Sequence, residues 1–435
     1  MLRPVWLLLA LGLTSCAAAS QSTVPAPPGT SHPPLPTPIA HVVIVLQENR
    51  TPDNLFQGVP GADIATHGID SRGDVVALRP VSLAAPYGLQ HSHAAFIRDY
   101  DGGRMDGFDR GLPPSHYLHP FAYAPRFEVQ PYYDMATQYV FADRMFQTNQ
   151  GPSFPAHQYV VSGTSSAVPT TTDSASSNSF VRGRRAPAGC DAPHTSRVDT
   201  LDLNSGAEGP QVFPCFDRRT LADLLDTHAV TWRYYEHGRG AGLWHAFDAI
   251  RNVRYGPEYA NVISPAQTIL SDVTLGKLPG VAWVMPPGPG YSDHPNSKSA
   301  KGPSWVAAVV NAIGRSQYWS STAIFIGWDD WGGWYDHVPP HIYNGGELGF
   351  RVPLVIISPY AKKGYVSHVH HEFGSILHFT EETFGLGSLD TTDRRADDLK
   401  DAFDFRQSPR TFVPIKAPPF QPRAGADMSD AEDEE

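Results

Sequence analysis

Two aspartates, Asp329 and Asp330, stand side by side where an apolar run ends. The run 322–328 (Thr-Ala-Ile-Phe-Ile-Gly-Trp) reads as a buried strand, and Trp331-Gly332-Gly333-Trp334-Tyr335-Asp336-His337 follows the acid pair. Open α/β sheets keep their sites at the carboxyl ends of strands. On a continuing strand neighbouring side chains point to opposite faces, but a paired-glycine turn lets both acids bend toward one point. Adjacent anions repel unless a cation lies between them, so a divalent metal ion is the expected occupant, against the alternative of a solvated acidic loop. A second apolar run, 41–46, ends in Gln47-Glu48-Asn49-Arg50 and delivers a carboxylate and a carboxamide in the same way. Glu48, Asn49, Asp329 and Asp330 then make a four-ligand set from two strand ends. Such oxygens suit Ca²⁺, Mg²⁺ or Mn²⁺, with Zn²⁺ and iron also open.

Ser153 adds a hydroxyl. Gly151-Pro152-Ser153-Phe154-Pro155 is a tight turn that delivers the serine to a helix start. A serine there either caps the helix or, beside a metal and facing the positive end of the helix, acts as a nucleophile. Among 19 histidines, three keep suggestive company: His91, upstream of Asp101-Gly102-Gly103-Arg104; His294, in Ser292-Asp293-His294-Pro295; and His337. Grouped beside a metal and a hydroxyl, they would bind phosphoryl oxygens and protonate a leaving group.

Positioning these groups requires a sheet. Beyond the two runs above, 230–235, 280–285 and 352–358 read as strands, while 305–313 and 373–384 carry helical periodicity. Thr220 starts a short helix, with Asp223 completing a capping box and Leu221, Leu224 and Leu225 forming its apolar face. Near-continuous apolar strands separated by helices imply an α/β fold: a central, mostly parallel sheet sandwiched between helices. The core domain is expected over 41–415, with a loop-rich excursion at about 164–218.

The ends speak to compartment. A short positive start and the apolar stretch 6–13 form a signal peptide over 1–16, whose Leu13-Thr14-Ser15-Cys16 has the pattern of a lipoprotein cleavage site. Cys16 would carry the lipid and anchor a periplasmic or cell-envelope protein; cleavage near Ala19 and secretion is the alternative. Residues 17–40 read as a flexible linker, and 416–435 as an acidic disordered tail. In an oxidising compartment Cys190 and Cys215 are most simply a disulfide. A net charge of −11 argues against a nucleic-acid partner.

The order QENRT, HSH…DGGRMDGF, GPSFP, SDHP, WDDWGGWYDHVPP and FRVPLVIISPYAKKGYV resembles the bacterial phosphoesterase family of phosphatidylcholine-type phospholipases C and acid phosphatases, within the alkaline phosphatase-like superfamily. The resemblance runs from about His41 to Pro414. It implies a single metal ion on Glu48, Asn49, Ser153, Asp329 and Asp330, with Ser153 as nucleophile and His91, His294 and His337 around the phosphoryl group. Three features depart from the pattern. Pro155-Ala156-His157 stands where the family has Pro-Asn-Arg, removing an amide and a guanidinium near the helix start. Asp101-Gly102-Gly103-Arg104 replaces Asn-Gly-Gly-Lys, and the long C-terminal β-domains of some phospholipases do not follow Phe412.

The reaction implied is hydrolysis of a phosphate ester or phospholipid through a phosphoserine, with His294 ahead of His337 as the acid. Two other readings compete with it: an exported phosphate-binding lipoprotein without turnover, and a glycosidase. Adjacent carboxylates fit a glycosidase poorly, because its acid and nucleophile face each other across the substrate.

Overall fold

The structure is a computed structural model that describes residues 35–167 and 170–421. Cys16, the leader, most of the linker and the acidic run 427–435 lie outside the described residues. The strands of the main sheet are β1 (His41–Gln47), β2 (Val140–Ala142), β3 (Trp232–Tyr235), β4 (Val262–Ile263), β5 (Val281–Val284), β6 (Thr322–Trp328), β7 (Leu354–Ile357) and β8 (Tyr365–Ser367). They lie in the order β4-β3-β5-β1-β6-β7-β2-β8. Only β7 runs against its neighbours, antiparallel to both β6 and β2; every other pairing is parallel. The expected mostly parallel sheet is therefore present.

All seven residues of β6, and all of β1 after His41, are buried. Strands buried on both faces need a cover on each side. The main helices are α1 (His93–Tyr100), α2 (Arg126–Gln138), α3 (Ser153–Ser162), α4 (Leu221–Thr227), α5 (Thr268–Thr274), α6 (Gly302–Gly314) and α7 (Phe373–Phe384). Helix α6 packs on α2 and α5, while α3 packs on α7 and α4, giving two contact groups for the two faces. The capping box holds at α4, where the Thr220 N–H donates to Asp223 Oδ2 at 2.7 Å.

Two boundaries move. Leu35 and Ile39 are apolar and pack on the core, and the Leu35 N–H donates to the Glu382 carbonyl at 2.9 Å. The packed chain thus begins before residue 41. At the other end Phe420 packs edge-on against Tyr291 and tilted against Trp305, each at 4.9 Å between centroids, so residues 416–421 belong to the packed region rather than to a tail. In the excursion, Asp173–Ala175 pairs antiparallel with Thr200–Asp202, and Cys190 is bridged to Cys215.

Candidate active site

The register of the two central strands builds the site. Strand β1 pairs with β6 from His41↔Thr322 to Gln47↔Trp328, so both chains leave the sheet at the same level. Glu48-Asn49 and Asp329-Asp330 therefore emerge side by side, and all four are buried. Asn49 sits at φ 57°, a left-handed turn that an asparagine tolerates. Gly332 sits at φ 61°, and a Cβ there would lie 2.4 Å from the Asn49 carbonyl oxygen. That glycine is what allows the loop after β6 to fold over the end of β1.

Hydrogen bonds divide the labour of the two aspartates. Asp329 Oδ1 accepts the N–H groups of Asn49 and Asp330, each at 2.8 Å. Asp330 Oδ1 accepts the Asn49 carboxamide at 2.8 Å and the Gly332 N–H at 2.7 Å. Its other oxygen, Oδ2, accepts from the Ser153 hydroxyl at 3.0 Å. Ser153 is the first residue of α3, after Pro152 at the cap, and the helix start is capped from elsewhere, by Asn178 Oδ1, which accepts the Phe154 N–H at 3.0 Å. The serine hydroxyl is turned to the acid instead of to the helix.

His91 orients the carboxamide. Its Nδ1–H donates to the Leu89 carbonyl at 2.8 Å, which leaves Nε2 to accept from Asn49 Nδ2 at 3.1 Å. With both donors engaged, Asn49 Oδ1 is buried without a hydrogen-bond partner; so are Glu48 Oε2 and Asp329 Oδ2. Three orphaned oxygen acceptors in one buried spot are costly unless a cation meets them, so these residues fit a metal ion.

His294 lies beside His91, 6.1 Å between ring centroids, on a loop tied to the sheet. That tie is Asp293. Its N–H donates to Gln47 Oε1 at 3.0 Å, its carbonyl accepts from Arg50, and its Oδ2 accepts from Tyr132 and Trp328. Burial raises the Asp293 carboxyl to about 6 despite the attraction of Arg50. Glu48, Asn49, Ser153, Asp329, Asp330, His91 and His294 are thus drawn to one place.

His337 is not. Its Nδ1 meets Asp53 Oδ2 at 2.8 Å and its Nε2 meets Asp63 Oδ1 at 3.0 Å. Burial would lower its pKa, but Asp53 and Asp336 carry it to about 9. Both nitrogens are committed to a structural ion-pair cluster, a correction to its expected place beside the phosphoryl group. Proximity in sequence misled, because the Gly332-Gly333 turn sends the chain away again.

His157 takes a place that sequence reasoning overlooked. Its Nε2 lies 3.2 Å from Glu48 Oε1 and 3.6 Å from Asp329 Oδ2. Glu48, His157 and Asp329 offer ligand atoms within 4.8 Å of one another. Burial pushes Glu48 well above the carboxylate range, with Asp329 adding to it. Burial would lower His157, yet the two acids lift it to about 9; burial would raise Asp329, yet His157 holds it down. The signal was available: His157 is four residues after Ser153, on the same helical face one turn along.

Residues 39–387 match the model of the phosphoesterase family, and the chain belongs to that family. It is 26% identical to the hemolytic phospholipase C of Pseudomonas aeruginosa over 86% of this chain and 57% of that protein. Phospholipase C A of Mycobacterium tuberculosis is 25% identical over 88% of this chain and 81% of its own length. Non-specific phospholipase C1 of Arabidopsis thaliana is 29% identical over 47% and 43%. The chain spans little more than half the length of the Pseudomonas relatives. Among solved structures, a Vibrio parahaemolyticus protein in the alkaline phosphatase superfamily aligns at TM-score 0.42 and 13% identity, covering 85% of this chain and 72% of that one.

Proposed function

We propose that this protein hydrolyses phosphate esters, as a phosphatase or a phospholipase C-type phosphodiesterase, through a phosphoserine at Ser153. The observation that carries this reading is the Ser153 hydroxyl donating to buried Asp330 beside three orphaned acceptors. Asp330 Oδ2 takes the hydroxyl proton as Ser153 Oγ attacks phosphorus in line. The phosphorus–oxygen bond to the alcohol breaks, and His294 gives the leaving oxygen its proton. His91 keeps the Asn49 carboxamide aimed at the site. Water, deprotonated by His294, then cleaves the phosphoserine as Asp330 returns its proton to Ser153 Oγ. A divalent cation on Glu48, Asn49, Asp329 and Asp330 would supply positive charge to the phosphoryl oxygens and make the hydroxyl easier to deprotonate. Names of relatives support phospholipid headgroup esters as one substrate class.

The test is a metal-reconstituted screen of a phosphomonoester, a phosphodiester and phosphatidylcholine vesicles, run on the parent and on Ser153→Ala. Turnover should fall by several orders of magnitude in Ser153→Ala, with the thermal midpoint little changed because no cap is lost. Near-parental turnover in the variant would end the covalent mechanism. Phosphate binding without turnover on any of the three substrates would make this a phosphate-binding protein instead.

Export is a further part of the proposal, resting on the Leu-Thr-Ser-Cys pattern and supported by the Cys190–Cys215 bridge. Anchoring would be through lipid on Cys16. Mass spectrometry of the mature N-terminus should find a lipidated Cys16; cleavage elsewhere would refute the anchor.

A further inference from the structure

Four buried or half-buried groups of carboxylates and histidines stand among the described residues. Three have counter-charges or donors of their own. Arg351 sits between Asp53 and Asp336. Ser367 donates to Asp401 and lies 3.0 Å from His371 in the His371–Asp397–Asp401 group. Arg254 approaches Asp248 at 3.5 Å in the Glu236–His245–Asp248 group. The fourth, Glu48–His157–Asp329, has no arginine or lysine bound to it. Its imidazole nitrogen enters between carboxylates that follow two different strands, while Glu48 Oε2, Asp329 Oδ2 and Asn49 Oδ1 accept no hydrogen bond.

We infer that His157 Nε2 is itself a ligand of the metal ion, so that this centre is a mixed nitrogen–oxygen site that takes a borderline first-row cation, Zn²⁺ or Fe²⁺, in preference to Ca²⁺ or Mg²⁺. The inference rests on the metal-dependent part of the proposed function. Geometry and chemistry carry it together. The His157 ring is buried, its nitrogen lies within 3.6 Å of both acids, and helix α3 fixes its position one turn from Ser153. An ion placed to meet the orphaned oxygens of Glu48 and Asp329 would also meet this nitrogen. Ca²⁺ and Mg²⁺ are hard cations that favour all-oxygen shells, whereas imidazole suits zinc, iron and other transition ions. The same placement would put the nucleophile and a ligand on consecutive turns of a single rigid helix, which ties the ion and the attacking oxygen to one frame.

The experiment strips the full-length protein with a chelator and dialyses it against Zn²⁺ and excess Ca²⁺ together, with bound metal read by elemental analysis. The parent should retain Zn²⁺ over Ca²⁺. In His157→Gln, which keeps a neutral polar side chain but removes the ring nitrogen, that preference should fall by at least ~10-fold. Pulsed EPR of the Mn²⁺-loaded parent should show coupling to a ¹⁴N nucleus, and the coupling should vanish in whichever of His157→Gln and His157→Asn folds. Absence of nitrogen coupling in the parent, or an unchanged Zn²⁺-over-Ca²⁺ preference in a folded variant, would overturn the inference while leaving the metal site standing. Ser153-dependent turnover by a parent that binds none of these ions would overturn the metal reading itself, leaving His157 as a protonated ring that balances the acids.

Discussion

Two buried clusters in this molecule start from the same materials, two carboxylates and an imidazole, and end differently. Around His337, Asp53 and Asp336 meet Arg351, whose Nε and Nη2 reach the two oxygens of Asp336 at 2.8 and 3.0 Å. Asp53 Oδ1 accepts from the Ala65 N–H and Arg351, and Oδ2 from His337. No oxygen of either aspartate is left unmet, and the positive charge is built into the chain. Around Ser153, Glu48 and Asp329 share one imidazole, that of His157, and three acceptors take no hydrogen bond. The first cluster is electrostatically complete and ties four segments together. The second leaves acceptors unmet, as the cation proposed for it requires.

The comparison breaks most directly by making one substitution in each cluster. Asp336→Asn removes half of a fully buried, doubly hydrogen-bonded ion pair and leaves Arg351 under-compensated. It should cost about 3–5 kcal/mol of unfolding free energy. Asp329→Asn in chelator-treated protein should cost less than Asp336→Asn, because Glu48 remains beside His157 and the new side chain keeps an acceptor for the Asn49 N–H. The same variant should lose bound metal and turnover together. Denaturant titration with elemental analysis reads both. Equal destabilisation by the two substitutions would mean that the Ser153 cluster is structural, like its counterpart.

The strand ends were legible in the sequence because β-branched and aromatic runs announce buried parallel strands, and the acids follow them directly. Phe373–Phe384 and the Thr220–Asp223 cap were legible from local periodicity and spacing. Ser153 at a helix start was legible from its turn, though only the structure showed its hydroxyl directed to Asp330 rather than to the helix. The Arg351 cluster was not legible: its partner Asp53 is 298 residues away, and only the folded sheet joins them. His157 was misread for a different reason. Compared with the family pattern it registered as a missing guanidinium, when its helical offset from Ser153 already placed its ring on the site's face.

The smallest expected effect concerns the His337 charge. Its folded pKa of about 9 lies above the unfolded value of ~6.5, through Asp53 and Asp336 and against burial and the like charge of Arg351. A raised pKa gives stability that is fully present below pH ~6.5 and is lost as pH rises through about 9. The ring is partly exposed, so solvent screening should trim the loss to roughly 1 kcal/mol. Denaturant unfolding across that window should show the parent weakening more than His337→Gln, which has no proton to release. Differencing the two proteins cancels His157 and every other titrating group. Parallel stability profiles would show that the proton on His337 adds nothing and that Arg351 alone completes the cluster. A steeper fall in the parent would show that the imidazolium shares the task with Arg351.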